Sequence, residues 1–409
     1  MESNTILYKP LGDVIEFLTD YHANGAYEKL KENVTLLDKE SHAVMIRTTN
    51  FEANDFTNNL IYIDEHAYEY LKKSKVYASD LIMNKIANPG TVYFMPEISK
   101  PVSLGMNLFL IRINTKKANP YFIYAYLRKN EHYVKSFASG STTKTITKDD
   151  VRRLKIYTPP LAEQNKIAQI LSTWDQAISA TEKLLENSQQ QKKALMQQLL
   201  TGKKRLLDET GLKFNIPWEK YRLGALLKEE KQRNKDNSLS RVLSVTNHSG
   251  FVLPENQFSK RIASDEVSNY KVVIKGQFGY NPSRINVGSF ARLDQFDNGL
   301  LSPMYVVFSI TSEKLDSDFF LYWMKSNEAK QRINNSTQGS VRDSVGFDAI
   351  SSFVLKLPEI QEQQKIAKVL SLADQELETL QKKLDCLKQE KKALMQQLLT
   401  GKKRVKVAA

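Results

Sequence analysis

The chain has 409 residues, 41% of them apolar and 26% charged, with a formal net charge of +13, a balance expected of a globular protein of two or three domains, each able to bury its own core. A single cysteine, Cys386, excludes an intrachain disulfide framework. No apolar run approaches the roughly 20 residues a membrane-spanning helix needs, and no signal peptide opens the sequence, so a cytoplasmic location is expected. The basic excess is spread along the chain rather than gathered in a tail, which suits a polyanionic partner.

In chain order, residues 1–157 read as a first globular domain. Leu11-Gly12 comes early, a β-like run follows over 42–52, then a strand and loop over 77–94. An amphipathic helix is expected over 120–130, then the Gly140-Ser141 turn and an apolar strand ending at Pro159-Pro160. Residues 158–205 read as a long helix. Residues 206–358 form a linker and a second globular domain with the same landmarks: Leu223-Gly224, a β-like run over 241–251, a strand and loop over 273–293, an amphipathic helix over 317–327, Gly339-Ser340, and a strand ending at Pro358. Residues 359–409 are a second long helix and tail. Mixed strands and helices make the class α/β or α+β.

The two helical segments are near copies. Residues 192–205 and 391–404 both read KKALMQQLLTGKKR, and between 163–205 and 362–404 there are 26 identities in 43 positions at an offset of 199. Apolar residues recur at alternating spacings of four and three. In the first copy they are Ile167, Leu171, Trp174, Ile178, Leu185, Leu195 and Leu199; in the second, Ile366, Leu370, Leu377, Leu380, Leu384, Leu387, Leu394 and Leu398. Thr181, Ser188 and Lys192 fall in the first stripe, and Ala373 and Lys391 in the second. Gly202 and Gly401 stand where a C-terminal cap belongs. A helix of about 40 residues with one apolar stripe is not stable alone. The two stripes are therefore expected to bury each other in an antiparallel coiled coil with pseudo-twofold symmetry; the alternative is that each helix packs on its own globular domain.

No catalytic constellation is legible. The five histidines have no metal-ligand spacing, and neither a phosphate-binding loop nor a dinucleotide-binding loop occurs. Tyr280-Asn281-Pro282-Ser283 lacks the second proline and the aromatic of an amino-methyltransferase motif and reads as a turn. What remains are polar loops suited to reading base edges and holding phosphates. In the first domain the candidates are Arg47, Thr49, Asn50, Asn84, Lys85, Asn88 and Lys144. In the second they are Thr246, Asn247, His248, Asn281, Ser283, Arg284, Asn286 and Arg342.

Twin helices carrying EQxKIA and KKALMQQLLTGKKR, each after a dissimilar domain with shared Leu-Gly and Gly-Ser landmarks, resemble the specificity (S) subunit of type I restriction–modification enzymes. The resemblance covers essentially the whole chain. It implies two target-recognition domains, each reading one half of a split, asymmetric site in double-stranded DNA, and a helical spacer between them. It also implies two methyltransferase (M) subunits docked on the helices, motor-nuclease (R) subunits in the full complex, and no catalysis by this chain. S-adenosylmethionine, ATP and Mg are expected on the partner subunits, and no metal or cofactor on this one. A coiled-coil scaffold that never touches DNA, or a DNA-modifying enzyme with degenerate motifs, remain the alternatives.

Overall fold

A computed structural model describes residues 8–253, 266–337 and 344–407. The helices that carry the architecture are α1 (Pro120–Lys129), α2 (Leu161–Leu199), α3 (Ser317–Met324), α4 (Asn327–Thr337) and α5 (Ile360–Leu398). Among the described residues no helix is long and apolar enough to cross a membrane. The chain divides into two compact units, Met1–Glu182 with Lys383–Ala409, and Lys183–Lys382. The domain boundaries read from the sequence assign each long helix whole; in the structure each helix gives its first half to one unit and its second half to the other.

Each unit is built on a four-stranded antiparallel sheet of the same topology. In the first unit the order is Ile15–Asp20, Leu108–Ile113, Leu81–Asn84, Val92–Phe94. In the second it is Leu227–Glu230, Val306–Ile310, Phe278–Tyr280, Phe290–Arg292. Such sheets bury one face, and here α1 and α3 cover it with Phe122, Ile123 and Leu127, and with Phe319, Phe320 and Trp323. Asn119 and Asp316 cap these helices by accepting from the third backbone N–H, as their short polar side chains favour. The first unit adds a second, mixed sheet of Tyr62–Ile63, Ala43–Ile46, Val102–Leu104 and Lys75–Val76; the second unit instead has the hairpin of Ser244–Thr246 with Gly250–Val252 and an antiparallel pair of Lys271–Ile274 with Asn298–Leu301.

The Leu-Gly landmarks have a packing cause. Leu11 and Leu223 are fully buried, and their amides donate to Leu154 and Phe353 across the closing strand pair. A Cβ on Gly12 would stand 3.3 Å from Arg152, and one on Gly224 would stand 3.2 Å from the Ser351 carbonyl, so any side chain there requires its neighbour to give by a few tenths of an ångström. The long helices end at Gly202 and Gly401 with φ of +71° and +73°, the left-handed caps expected from the sequence.

One difference from the sequence reading lies in the 42–52 run. Ala43–Ile46 is a strand, but Thr48–Glu52 is a short helix, because Asn50 folds back to accept from the Arg47 amide at 3.0 Å. A polar side chain offering the backbone a local partner breaks the strand.

Within each unit the two long helices run antiparallel. In the first, α2 residues Glu163, Asp175 and Glu182 meet α5 residues Arg404, Lys391 and Lys388 in that order. In the second, α5 residues Glu362, Asp374 and Glu376 meet Arg205, Lys192 and Ser188. Every residue of the two expected stripes is shielded from solvent at least in part. Both packing expectations hold, at different places. Ile167, Leu171 and Leu398 join the core of the first globular domain, and Ile366, Leu370 and Leu199 join that of the second. Trp174, Ile178, Leu185, Leu195, Leu377, Leu380, Leu387 and Leu394 are half-buried along the helices, where Thr181 and Leu384 are buried.

Candidate nucleic-acid interface

The junction between sheet and helices repeats its main hydrogen bonds in both units. Gln164 and Gln363 are buried at the first turn of α2 and α5. Each donates to the preceding proline carbonyl, Pro159 or Pro358, at 2.8 Å. Each also accepts from the helix-cap amide of the globular domain, Asn119 at 3.0 Å or Asp316 at 2.9 Å. The neighbouring Glu163 and Glu362, also buried, take Arg404 and Arg205 in two-pronged bridges of 2.6–3.0 Å. Arg404 is held above its ordinary pKa by Glu163. Further along, the lysine inside each apolar stripe finds its reason. Lys391 pairs with Asp175, which also accepts from the Tyr121 hydroxyl; Lys192 pairs with Asp374, which accepts from Tyr322 at 2.8 Å. Burial first, then the aspartate, pushes both tyrosine pKa values up. Tyr121 stands in the first turn of α1 and Tyr322 in the second turn of α3, so the network recurs even though the positions do not align. A polar pair within an apolar seam fixes register.

The loops beyond the sheets are where the units diverge. In the first unit, four segments converge: Thr48 donates to Asn84 at 3.0 Å, the Lys85 amide to Asn107 at 2.9 Å, and the Ile146 amide to the Lys85 carbonyl at 3.2 Å. This brings Arg47, Thr49, Lys85, Asn88 and Lys144 to one end of the unit. Thr49, Asn88 and Lys144 are exposed there. Asn84 is fully buried, its amide spent on Thr48, the Ala87 carbonyl at 3.5 Å and Tyr93 at 3.4 Å; Asn50 is 4% exposed and spent on Arg47 and Asp55. These two asparagines shape the loops rather than offer free amides. Arg47 donates to the Asn59 carbonyl at 3.1 Å while its buried Nε has no hydrogen-bond partner among the described residues.

A groove of about 550 Å³ opens here, walled by Tyr27, Leu36, Arg47, Thr49, Ala87 and Met106. Tyr27, Leu36 and Met106 are all more than half exposed. Ala87, Asn88 and Asn107 carry φ of 51°, 76° and 65°, a left-handed backbone that side chains adopt at a cost and that clusters at functional sites. Beside it, buried Asp20 takes Lys85 at 3.1 Å and Lys148 at 3.2 Å. Burial pushes its carboxyl up, but the two lysines outweigh that and hold it below the usual carboxylate range. Sequence reasoning missed Asp20, Lys148, Tyr27 and Met106. Asp20 and Lys148 lie 128 residues apart, and no local pattern joins them.

In the second unit, the hairpin turn carrying Thr246, Asn247 and His248 lies against the 281–289 loop. Ser289 donates to the Val245 carbonyl at 2.7 Å, and a Cβ on Gly288 would stand 3.3 Å from that of Asn247. Thr246 serves the turn, accepting from the Ser249 amide and donating to Gly250. Asn281 accepts from the Ser283 amide at 3.0 Å in the manner of an Asx turn. Asn247, His248, Ser283, Arg284 and Asn286 are exposed side by side. Tyr280 is fully buried at the strand end, out of reach of any stacked base, so the Tyr-Asn-Pro-Ser segment is a turn. Arg342 and the Gly339-Ser340 turn lie outside the described residues.

The family model described as type I restriction modification DNA specificity domain matches residues 8–188 and 268–389. Over 387 residues the chain is 26% identical to the type I restriction enzyme MjaX specificity subunit of Methanocaldococcus jannaschii, covering 88% of this chain and 87% of that one. It is 25% identical over 340 residues to the MjaVIII specificity subunit of the same organism, covering 78% of each. The fold resembles the crystal structure of the type I restriction-modification S subunit from M. genitalium, with a TM-score of 0.57 over 98% of each chain at 15% identity. With two recognition-type sheets, matched helices and a family match over most of its length, the chain belongs to the type I restriction–modification DNA specificity family.

Proposed function

We propose that the chain reads a two-part, asymmetric site in double-stranded DNA, one half-site per unit, as the non-catalytic specificity subunit of a type I restriction–modification complex. The observation that carries this reading is the contrast between two sheets of one topology and the different loops they bear: a groove with apolar walls in the first unit, exposed polar side chains in the second. Different surfaces on one scaffold suit two different words. The exposed Arg284 and Asn286 fit guanine and adenine edges, and Lys144 with the Lys85–Lys148 pair fits phosphates.

Two M subunits dock on the long helices and bring S-adenosylmethionine; R subunits bring ATP and Mg. The complex works in the cytoplasm of a bacterium or archaeon. Selection from a random DNA library by the chain assembled with its M subunit tests the reading. A two-part asymmetric consensus is expected; binding without sequence preference would leave only a scaffold.

A further inference from the structure

The chain has 9 methionines, and among the described residues two of them are exposed, Met106 at 53% and Met304 at 64%. They occupy the same place in the two units. Met106 lies in the turn between Val102–Leu104 and Leu108–Ile113, where Leu108 stands opposite Asn84. Met304 lies in the turn between Asn298–Leu301 and Val306–Ile310, where Val306 stands opposite Tyr280, next to Asn281. Each methionine is thus two residues beyond the four-stranded sheet, at the end that carries the reading loop. Leu104 and Leu108 are buried on either side of the first, and Leu301 and Val306 on either side of the second. Backbone bonds hold both turns. The Gly105 amide donates to the Ile46 carbonyl at 2.8 Å, so close that a Cβ on Gly105 would stand 2.4 Å from that oxygen. The Tyr305 amide donates to the Ser302 carbonyl at 3.0 Å. Tips of turns favour Gly, Asn, Asp, Ser and Pro, so an unbranched, polarisable apolar side chain at both tips calls for a partner.

The surroundings say which partner. Tyr27 and Leu36 share the groove of the first unit with Met106, and in the second unit exposed Val287 follows Asn286 in the reading loop. Lys31 and Arg47 outnumber Glu52, the one carboxylate among the described residues that line the groove, and Arg284 is exposed in the second loop. Such a surface favours a polyanion, yet phosphates offer nothing to a thioether. In the major groove of a DNA duplex the apolar feature is the C5-methyl group of thymine. Asn88, Arg284 and Asn286, at the same ends of the units, suit major-groove edges too, whereas an apolar wedge between base steps works from the minor groove. We propose that Met106 and Met304 each pack on the C5-methyl group of a thymine in the major groove, so that each half-site holds a T·A pair where its methionine lies. This rests on the functional reading above and adds one specificity-determining residue to each unit.

The test uses the full chain assembled with its M subunit and the duplex selected from a random library. Each thymine of the two half-sites is replaced in turn by deoxyuridine, which removes the methyl group and keeps every hydrogen-bonding group. One position in each half-site is expected at which binding falls by about fourfold, the worth of one buried methyl group. In Met106→Ala the penalty in the first half-site should vanish while that in the second remains, and in Met304→Ala the reverse. Met106→Leu and Met304→Leu should keep both penalties. All four variants should melt with the wild type, because the side chains are exposed. Tolerance of deoxyuridine throughout a half-site, or a half-site without thymine, would overturn the contact for its methionine while the reading of a two-part site stands. A penalty that persists in the alanine variant would overturn it as well and place the methyl against another residue. Binding without sequence preference would sink the functional reading and the contacts with it.

Discussion

The junction of sheet and helices is built alike in both units, while the reading surfaces share only the sheet beneath them. At the junction the same residue types make the same bonds: Gln164 and Gln363, Glu163 and Glu362, Asp175 and Asp374. At the loops, the first unit buries Asn50 and Asn84 in bonds to itself beside a groove, and the second leaves Asn247, Arg284 and Asn286 in solvent. The difference separates two demands. The junction must fit a helix half supplied by the other copy, so each half is bound to its counterpart. A reading loop answers only to its own target. It follows that junction variants should act on stability, second-unit loop variants on reading alone, and first-unit loop variants on both.

The largest effect is expected at the junction. Glu362 is fully buried, and Arg205, Trp218 and the helix start depend on it. Glu362→Ala leaves a guanidinium only 16% exposed without its counter-charge, and such losses in fully buried pairs run to about 3–5 kcal/mol, an upper bound here. In the first unit the matching Arg404 side chain is about half exposed, so Glu163→Ala should cost clearly less, because water can solvate the released cation. Urea unfolding of the two variants measures the gap. Equal losses would show that the junctions are not graded by burial.

Next comes Asn84→Ala. Its amide holds Thr48, the Ala87 carbonyl and Tyr93 in place, and because these partners are only partly shielded their loss should cost at most about 1–3 kcal/mol. The same change should blur the first half-site, since the loop it shapes carries Lys85 and Asn88. Thermal melting and methylome sequencing of the variant together check this. Stability lost with reading intact would detach the groove from recognition.

How much of this was legible in the sequence follows the same division. The helices, their antiparallel sense, the caps at Gly202 and Gly401 and the apolar stripes were legible because periodicity and capping are local properties. The lysines in the stripes stood out as anomalies, but Asp175 and Tyr121 could not be named as their partners without the fold. The loops were found as regions and misjudged as residues. Asn84 and Asn50 have the right chemistry for bases and are consumed by the side chains and backbone around them, a choice made by burial. Asp20 and Lys148 become neighbours only once the sheet brings both to one end.

In the second unit, Arg284→Ala should leave the melting temperature unchanged, because the side chain is exposed. Discrimination at one base pair of that half-site should fall by about 1–3 kcal/mol, the worth of a good bidentate contact. Competition binding with single-base variants of the site reads this out. A uniform loss across all sequences would instead make Arg284 a phosphate contact.

The smallest effect concerns Asp20. Lys85 and Lys148 hold its carboxyl below the ordinary value near about 3.9. The fold therefore favours the charged form. The stability this contributes is present above the unfolded value and is lost as pH falls through the lowered folded one. Wild type and Asp20→Asn should differ in melting temperature at neutral pH and converge below about pH 4. The same substitution releases two lysines, each about one-third exposed, at the reading end. DNA binding by the assembled complex should then tighten and steepen with salt, by up to about 0.9 in log–log slope for each phosphate gained. If Asp20→Asn weakens DNA binding instead, the carboxylate is aiming the two lysines rather than restraining them, and the first surface is more tightly bound to its own fold than its groove suggests.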